Sequence, residues 1–375
     1  MPTRAPTDHR HGEERRRRAR RQGPVSASAS VGAATAPSTL PSAAPAAPPD
    51  AAWPDALTET QREVLAAKRA AARNDFWREA LSLHGSVTPY VLPHVVVSGL
   101  VAAAVCAVAW AARRWLGFDM TMAVAPHEIA GAVLGLLLVL RTNAGYDRWW
   151  EARRLWGGIV NQARNLAISA VAYGPDDPVW RARVVRWTAA FPHLARATLR
   201  AQGPPPEVVA LLGPETARRL AVADHMPGVA AFVLGRLLRA AEGSMGSFAF
   251  LQVDRERAAL IDHVGGCERI LKTPLPRVYA IKVRRFIVLY LLVLPLPLLH
   301  VVETAWVVPL IVMLIAYPLF SLDQIGVELQ NPFSERNLSH LPLGDITATI
   351  ERNVLAMEQV AEAWAAEEVG VGGVA

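Results

Sequence analysis

The chain has 375 residues, of which 52% are hydrophobic and 19% are charged, and its formal net charge is +6. This composition is too apolar for an average soluble protein and too charged for a fully embedded transporter, so it predicts a protein that is part membrane and part cytosolic. The positive charge does not indicate nucleic-acid binding. Eight arginines and three acids lie within residues 1–24 (8 − 3 = +5), which leaves +1 for all the rest.

The first segment, residues 1–55, is rich in arginine and then in alanine, proline and serine. Such a segment cannot bury enough apolar surface to fold, and we predict a disordered basic tail near an anionic membrane face. Its arginine run lacks both the apolar stretch of a secretory signal and the interleaved aromatic residues of a nucleic-acid platform. Residues 56–88 are predicted to form a cytosolic helix, with Thr58 as its candidate N-cap.

Four apolar segments are predicted to span the membrane: 90–112, 128–140, 286–302 and 304–320. Only Glu303 separates the last two, so we expect a tight hairpin or helices bent by their prolines. Gly-Pro and Pro-Pro signals interrupt a helical pattern between the second and third segments, which predicts a soluble helical domain. The resulting units are residues 89–140 (first membrane pair), 141–285 (helical domain), 286–322 (second membrane pair) and 323–375 (C-terminal cytosolic segment).

Lysines and arginines are concentrated on one side of this predicted topology. Residues 60–90 carry five, residues 141–200 carry ten and residues 269–285 carry six, whereas the opposite loops carry two and none. Because positively charged short loops stay cytoplasmic, both termini and the helical domain are predicted to be cytosolic.

The second apolar segment runs into a polar and aromatic cassette, residues 141–156, without any turn signal. Only 12 apolar residues precede Arg141, whereas about 20 are needed to span roughly 30 Å of hydrocarbon. Protein or water must therefore shelter the rest of the helix. Several copies around a water-filled axis would remove the cost of a centrally placed charge, about 2.5–3.5 kcal/mol.

Two interpretations of the polar cassette stay open. As a structural clamp, it would stack Arg153 between Trp149 and Trp156 and pair its acids with arginines one turn away. As a vestibule entrance, its first residues would line water. We favour packing for the tryptophans, whereas both interpretations stay open for Arg141 and Asn143. The candidate residues of the entrance and clamp are Arg141, Asn143, Asp147, Arg148, Trp149, Trp150 and Glu151.

A stripe of apolar side chains precedes the cassette. Ala132, Leu136 and Leu140 repeat at i, i+4 and i+8 and cover about 12 Å of helix. Around a symmetry axis, copies of this stripe would form a narrow constriction that closes by dewetting or passes partly dehydrated ions. Ordinary helix packing is the alternative. The periodicity alone favours it, since Gly131 and Gly135 offer a small-residue face for close helix contact.

No motif indicates an enzyme, because the chain has no HExxH, no ExxH pair, no GxSxG and no phosphate-binding glycine loop. Cys106 and Cys267 lack zinc-site spacing and cannot form a disulfide framework. His94 and His300 could relay protons, although packing is the commoner role. We therefore predict no catalytic residue, cofactor or metal. A membrane enzyme and a non-conducting scaffold remain the alternatives from other classes.

The run RTNAGYDRWWEARRLWGGIVNQARNLA, residues 141–167, resembles the signature after the second membrane helix of bacterial bestrophin-family channels. Similar segments follow in colinear order over residues 74–358: WREALSLHGSVTPYVLP (77–93), GGCERILKTPLP (265–276) and GVELQNPFSERNLSHLPLGDITATIERNVL (326–355). The resemblance leaves out about the first 70 residues.

The resemblance implies an all-α membrane protein of the bacterial inner membrane. It would be a homopentamer with four transmembrane helices per subunit and a cytosolic helical domain that forms a vestibule. The family's neck uses three bulky apolar residues, spaced by four, that end just before the RTN-type junction, and Ala132, Leu136 and Leu140 match those positions. The family's second, cytosolic constriction is expected within residues 229–238.

The resemblance also implies a passive channel for chloride or other monovalent anions. Its partners would be copies of itself, inorganic ions and the lipid bilayer, with no nucleic acid. Ala132 replaces a larger side chain and no phenylalanine occupies the stripe, so a cation-selective channel is the alternative. The turn Asn331-Pro332-Phe333 is followed by one nearby acid, Glu335, which cannot supply the 6 to 8 oxygens typical of a calcium site. We predict no calcium gating.

Overall fold

The computed structural model describes residues 76–83 and 85–371, and regular secondary structure within these ranges is entirely helical. In chain order the helices are α1 (Phe76–Ala80), α2 (Thr88–Ala111), α3 (Ala125–Tyr173), α4 (Pro178–Leu199), α5 (Pro206–Leu212), α6 (Pro214–Ala221), α7 (Met226–Ala240), α8 (Glu242–Met245), α9 (Ser247–Lys272), α10 (Arg277–Val293), α11 (Pro295–Val301), α12 (Val308–Glu328) and α13 (Leu343–Val371). A π-helical turn, Ala112–Leu116, extends α2. The predicted tail over residues 1–55 lies outside the described residues, as does most of the predicted helix 56–88 with Thr58.

Helix α3 connects the two halves of the fold. Its proline lies in the first turn, where the missing N–H is not needed, and its interior has none. The 49 residues give a length of about 73 Å, more than twice the hydrocarbon thickness of a bilayer. The helix ends where Gly174 becomes extended and donates its N–H to the Ala170 carbonyl at 2.9 Å. The predicted boundary between residues 140 and 141 therefore falls inside one unbroken helix.

The N-terminal part of α3 packs with α2, α10, α11 and α12 around an apolar core, called here the membrane core. Among the described residues, three helical segments are long and apolar enough to cross a membrane, namely Thr88–Leu116, Ala125–Tyr173 and Ala305–Glu328. The residues of the membrane core are Val95, Ala102, Leu134, Leu138, Val283, Ile287, Leu291, Leu294, Val308, Val312 and Ala316. The fold is thus that of a helical membrane protein.

The third predicted span, residues 286–302, is bent. Helix α10 ends at Val293, and α11 begins at Pro295, whose ring removes a backbone donor and crowds the preceding turn. Leu294 between them keeps helical dihedral angles and donates to the Tyr290 carbonyl at 3.0 Å, so the chain bends without turning back. The prolines account for this bend, as the sequence indicated. The count of four spans stays a prediction.

The C-terminal part of α3 builds a second core with α4, α7, α9 and α13. Trp156 and Phe191 are among its fully buried side chains. Glycines allow α9 to lie close against α3, because a Cβ at Gly158 would lie 2.4 Å from the His263 ring. This second core is the helical domain.

A polar cluster within the helical domain attaches α13 to α4. The buried His193 lies with Nε2 2.7 Å from Glu351 of α13. One turn later Arg196 donates to Glu207 of α5 at 3.0 Å and to Thr347 of α13 at 3.1 Å. Burial lowers the pKa of His193 and outweighs the neighbouring Glu351 carboxylate, which raises it. At neutral pH the imidazole is therefore uncharged and donates from Nε2 to Glu351.

This burial predicts a loss of stability in mild acid. As pH falls below about 6.5, the unfolded chain gains a proton at His193 that the folded chain accepts only at lower pH, so the free energy of unfolding decreases. His193→Gln keeps a donor for Glu351 but does not titrate. We expect it to lose less of its apparent thermal midpoint between about pH 7.5 and about pH 5.5 than the wild type. His300→Gln, at an exposed position, is the control, and equal losses in all three proteins would contradict the assignment.

Candidate functional site

The predicted neck stripe lies on a bare face of α3. Leu136 and Leu140 are 61% and 52% exposed in the protomer, and Ala132 is also exposed. Leu134 and Leu138, on the opposite face, are fully buried in the membrane core. The bare side is wider than the stripe, since it includes Ile129, Val133 and Val139. The protomer thus leaves an apolar helix face uncovered without singling out three residues on it.

The first arginine of the polar cassette turns inward. Arg141 is 1% exposed and forms an ion pair with Asp323 near the end of α12. Asp323 also accepts from Nε of Arg284 on α10, at 2.9 Å. Gly326 makes room for this arrangement, because a Cβ there would lie 3.3 Å from Nε of Arg141. Arg141, Asp323 and Arg284 are called the ion triad below. It joins α3, α10 and α12.

The buried position of Arg141 corrects one of the two sequence interpretations. A guanidinium that lined water would not be buried, so Arg141 belongs to the packing and not to the wet surface. The physical reason is the partner on α12, since a buried charge is tolerated where an opposite charge compensates it. Asn143 remains exposed, three residues beyond Leu140 on the bare face, and Asp147 is exposed one turn further.

Arg148 holds two helix ends in place. Its guanidinium donates to the carbonyls of Ile270 and Thr273 at the end of α9, the latter at 2.7 Å. It also donates to the Gln330 carbonyl just beyond α12, at 3.3 Å. These carbonyls lack partners within their helices and carry the negative end of the helix dipole, so the half-buried cation of Arg148 suits them. Arg148 therefore clamps α3 to the ends of α9 and α12.

Of the three tryptophans of the polar cassette, Trp156 is buried and Trp149 is half-buried, whereas Trp150 is 47% exposed. Trp149 donates its indole N–H to the Ser339 carbonyl at 2.8 Å. Its ring stacks with Tyr146 and Trp150 at centroid distances of 6.2 and 6.5 Å. Trp156 is fully buried while Arg153 is exposed, so the predicted stack of Arg153 between two indoles is wrong.

The acids of the polar cassette also differ from expectation. Glu151 pairs with Arg269 of α9, a helix that lies alongside α3, and not with an arginine one turn away on its own helix. Asp147 forms no ion pair within residues 76–83 and 85–371. The partner of Glu151 lies on the neighbouring helix α9, and residue spacing within α3 alone does not reveal it.

The turn after α12 is built around polar bonds to the backbone. Glu328 accepts from the Leu338 N–H at 2.8 Å, and the Asn337 side chain donates to the carbonyls of Glu328 and Asn331. Glu335, the acid that follows the Asn-Pro-Phe turn, pairs with Arg200, the residue just after α4. The Glu335 carboxylate, the one acid close to the Asn-Pro-Phe turn, is thus occupied by an ion pair within the protein.

The residues expected to contain the second constriction, 229–238, lie on α7. Its exposed side chains include Val229, Phe232 and Arg236, whereas Ala230 and Leu234 are buried in the helical domain. The protomer does not distinguish which exposed residue faces an axis, and this assignment stays a prediction.

Sequence reasoning missed the partners of Arg141. An apolar run of 19 residues begins at Thr304, and Asp323 is the first acid after it. An acid at the end of such a run is the signal that could have identified a buried counter-charge. In the sequence, Arg284 is only one of the six positive charges of residues 269–285 that indicate the membrane topology. Neither residue lies near the polar cassette in sequence, so spacing alone could not connect them.

The fold is that of a helical membrane protein. Where α3 leaves its membrane core, the polar cassette and the ion triad connect the helices by ion pairs and hydrogen bonds. A family model described as "Bacterial/Fungal Bestrophin protein" matches residues 68–356. A protein of Synechocystis named as a voltage-dependent anion channel-forming protein is 31% identical over 280 residues, which is 73% of this chain and 89% of that protein. YneE of Escherichia coli K12, with the same descriptive name, is 32% identical over 283 residues, or 74% and 90% of the two chains.

The crystal structure of a bacterial bestrophin homolog from Klebsiella pneumoniae superimposes with a TM-score of 0.65 at 25% identity. The match covers 72% of this chain and 98% of the other. The chain belongs to the bestrophin family, in its bacterial and fungal branch, which confirms the resemblance carried by the polar cassette.

The ion triad generates a prediction about stability. Asp323→Asn leaves the buried Arg141 without its counter-charge, and we expect a loss of about 3–5 kcal/mol in the free energy of unfolding. It is measured as a fall in the apparent thermal midpoint of the detergent-purified protein. Asp176→Asn is the control, because Asp176 is fully exposed and its pair with Arg181 is worth about 0–1 kcal/mol.

The double variant Arg141→Met, Asp323→Leu removes both buried charges and should recover much of the lost stability. If Asp323→Asn is as stable as Asp176→Asn, the compensating role of Asp323 is wrong.

Proposed function

We propose that the protein is a passive ion channel of the bacterial inner membrane. It assembles as a homopentamer with both termini in the cytosol. The neck consists of Ala132, Leu136 and Leu140, and the current is carried by chloride or other monovalent anions. Calcium is not required for opening.

The observation that carries this proposal is the bare face of α3. The opposite face of α3 packs in the membrane core, so the exposed Leu136 and Leu140 must face lipid, a neighbouring copy or a narrow central axis. About one turn later on the same face, Asn143 and Asp147 are exposed, and contact of these polar side chains with lipid alone would be unfavourable. A central axis that is narrow at the leucines and wet at Asn143 suits both parts.

The bare face supports a neck that works by dewetting. Copies of Leu136 and Leu140 around an axis would present only carbon to a passing ion, which must shed part of its hydration shell. Ala132, one turn above Leu136, is smaller and would leave a wider entrance. The narrowest stretch is therefore proposed at Leu136 and Leu140.

Support for anions comes from the relatives, which are named as anion channel-forming proteins. The charges near the proposed neck add little to it. Arg141 is buried and compensated by Asp323, and Arg148 is occupied by backbone carbonyls. No arginine of the polar cassette before Arg153 is thus free to attract anions at the exit of the neck.

Cation conduction is the second candidate, and Asp147 is the observation that favours it. The exposed carboxylate lies one turn beyond Asn143 on the bare face, without an ion pair within the described part of the chain. A ring of five such carboxylates would raise the local concentration of cations.

Recording reversal potentials in planar bilayers under a tenfold KCl gradient decides between the candidates. For a perfectly anion-selective channel the reversal potential lies at the chloride equilibrium value, about 59 mV in magnitude. A value at the potassium equilibrium potential, of opposite sign, would establish the cation alternative. A calcium chelator on both sides should leave the current unchanged. Absence of conductance from well-incorporated protein would contradict the channel function and favour a scaffold or an enzyme.

The neck assignment predicts larger currents from smaller side chains. Leu136→Ala and Leu140→Ala each widen a constriction in every subunit and lower its dewetting barrier, so single-channel conductance or open probability should rise severalfold. Leu100→Ala is the matched control, since Leu100 is 66% exposed on α2 but lies off the stripe. Equal currents from all three variants and the wild type would show that the stripe does not limit conduction.

A further inference from the structure

We propose that each subunit binds an anionic phospholipid in a groove between α2, α10 and α12. The phosphate would lie at Arg284, and an acyl chain would follow α10 towards the middle of the membrane. The proposal needs the chain to lie in a membrane but does not depend on ion conduction.

The groove has an apolar part and a polar part. The apolar part has a volume of about 420 Å³, with Val97, Val101 and Leu292 among its lining residues. The polar part has a volume of about 320 Å³, and Arg284, Gln324 and the acid Asp323 are among its lining residues. Three residues line both parts and make them continuous: His94, Val288 and Phe320.

Helix α10 supplies the axis of this groove. Arg284, Val288, Leu291 and Leu292 follow one another at i, i+4, i+7 and i+8, so they share a helix face. The rise from Arg284 to Leu292 is about 12 Å. A cation at one end of an apolar face of this length matches a phospholipid, whose charged headgroup is joined to an apolar chain.

The charge at the polar end is positive. Arg284 and Arg141 face one acid, Asp323, which leaves a formal charge of +1 on the ion triad. The Arg284 side chain is 54% exposed, and within the described residues only its Nε is bonded. Its two terminal nitrogens are thus available to a phosphate, which planar guanidinium groups bind well.

Further cations surround this end of α10. Arg277, Lys282 and Arg285 are exposed on the same helix, which contains no acid. Basic residues near a membrane surface attract anionic lipid electrostatically. The groove therefore lies where anionic headgroups are concentrated.

A lipid explains the groove better than a free anion or another copy of the chain. A free anion would leave the apolar part uncovered. The residues of the groove belong to α2, α10 and α12, and none belongs to α3, whose bare face is proposed to surround the axis. A membrane lipid has both the charge and the apolar length that the two parts require.

Native mass spectrometry of the purified oligomer, after delipidation and addition of phosphatidylglycerol, tests the proposal. Wild-type protein should bind up to one phosphatidylglycerol per subunit, and Arg284→Gln should bind it about tenfold more weakly, as expected for the loss of one charge-assisted contact. Arg285→Gln is the matched control, because it removes a neighbouring charge that does not line the groove, and it should weaken binding less than Arg284→Gln. Equal binding by the two variants would overturn the headgroup assignment.

A second variant tests the apolar part without changing charge. Val288→Trp fills the junction of the two parts and should also lose phosphatidylglycerol while the oligomer stays intact in size-exclusion chromatography. If Val288→Trp dissociates the oligomer, the groove is covered by a neighbouring copy and the proposal is wrong. Equal wild-type affinity for phosphatidylcholine would also overturn it, because the proposal requires a net anionic headgroup.

Discussion

The ion pair between Arg141 and Asp323 determines how α3 leaves the membrane core. A buried guanidinium is tolerated only beside a compensating charge, and Asp323 near the end of α12 supplies it. The pair therefore sets the rotation and height of α3 against α12. Glycines permit the close approach, since a Cβ at Gly145 would lie 3.0 Å from Cβ of Leu329. With Arg141 directed inward, Leu140 is left on the bare face.

Two further contacts extend this junction into the helical domain. Arg148 binds the carbonyl ends of α9 and α12, and Trp149 donates to the turn that follows α12. Each bond connects α3 to an element that is distant in sequence. The polar cassette is thus a rigid joint between the membrane core and the helical domain, and its density of polar and aromatic residues has a structural cause. Arg141 and Arg148 are engaged in this junction, so the number of arginines in the polar cassette is a poor guide to the sign of the ion that passes.

Much of the architecture follows from local patterns. The break in α10 lies at Pro295, and α3 runs unbroken because no turn or proline signal interrupts it. The polar cassette carried enough specific residues to identify the family. The partners inside the cassette were less accessible to sequence reasoning. Glu151 was expected to bind an arginine on its own helix and instead binds Arg269, because the packing of α9 on α3 is a long-range event.

The sequence by itself determined the helical class, the apolar segments and the family, because each depends on residues close together in the chain. Only the tertiary structure decided which side of α3 is buried, that Arg141 meets Asp323 182 residues away, and that a groove with a cationic end lies beside α10. These features depend on how helices pack. A helix with apolar residues on both faces carries no local signal for which face will be covered.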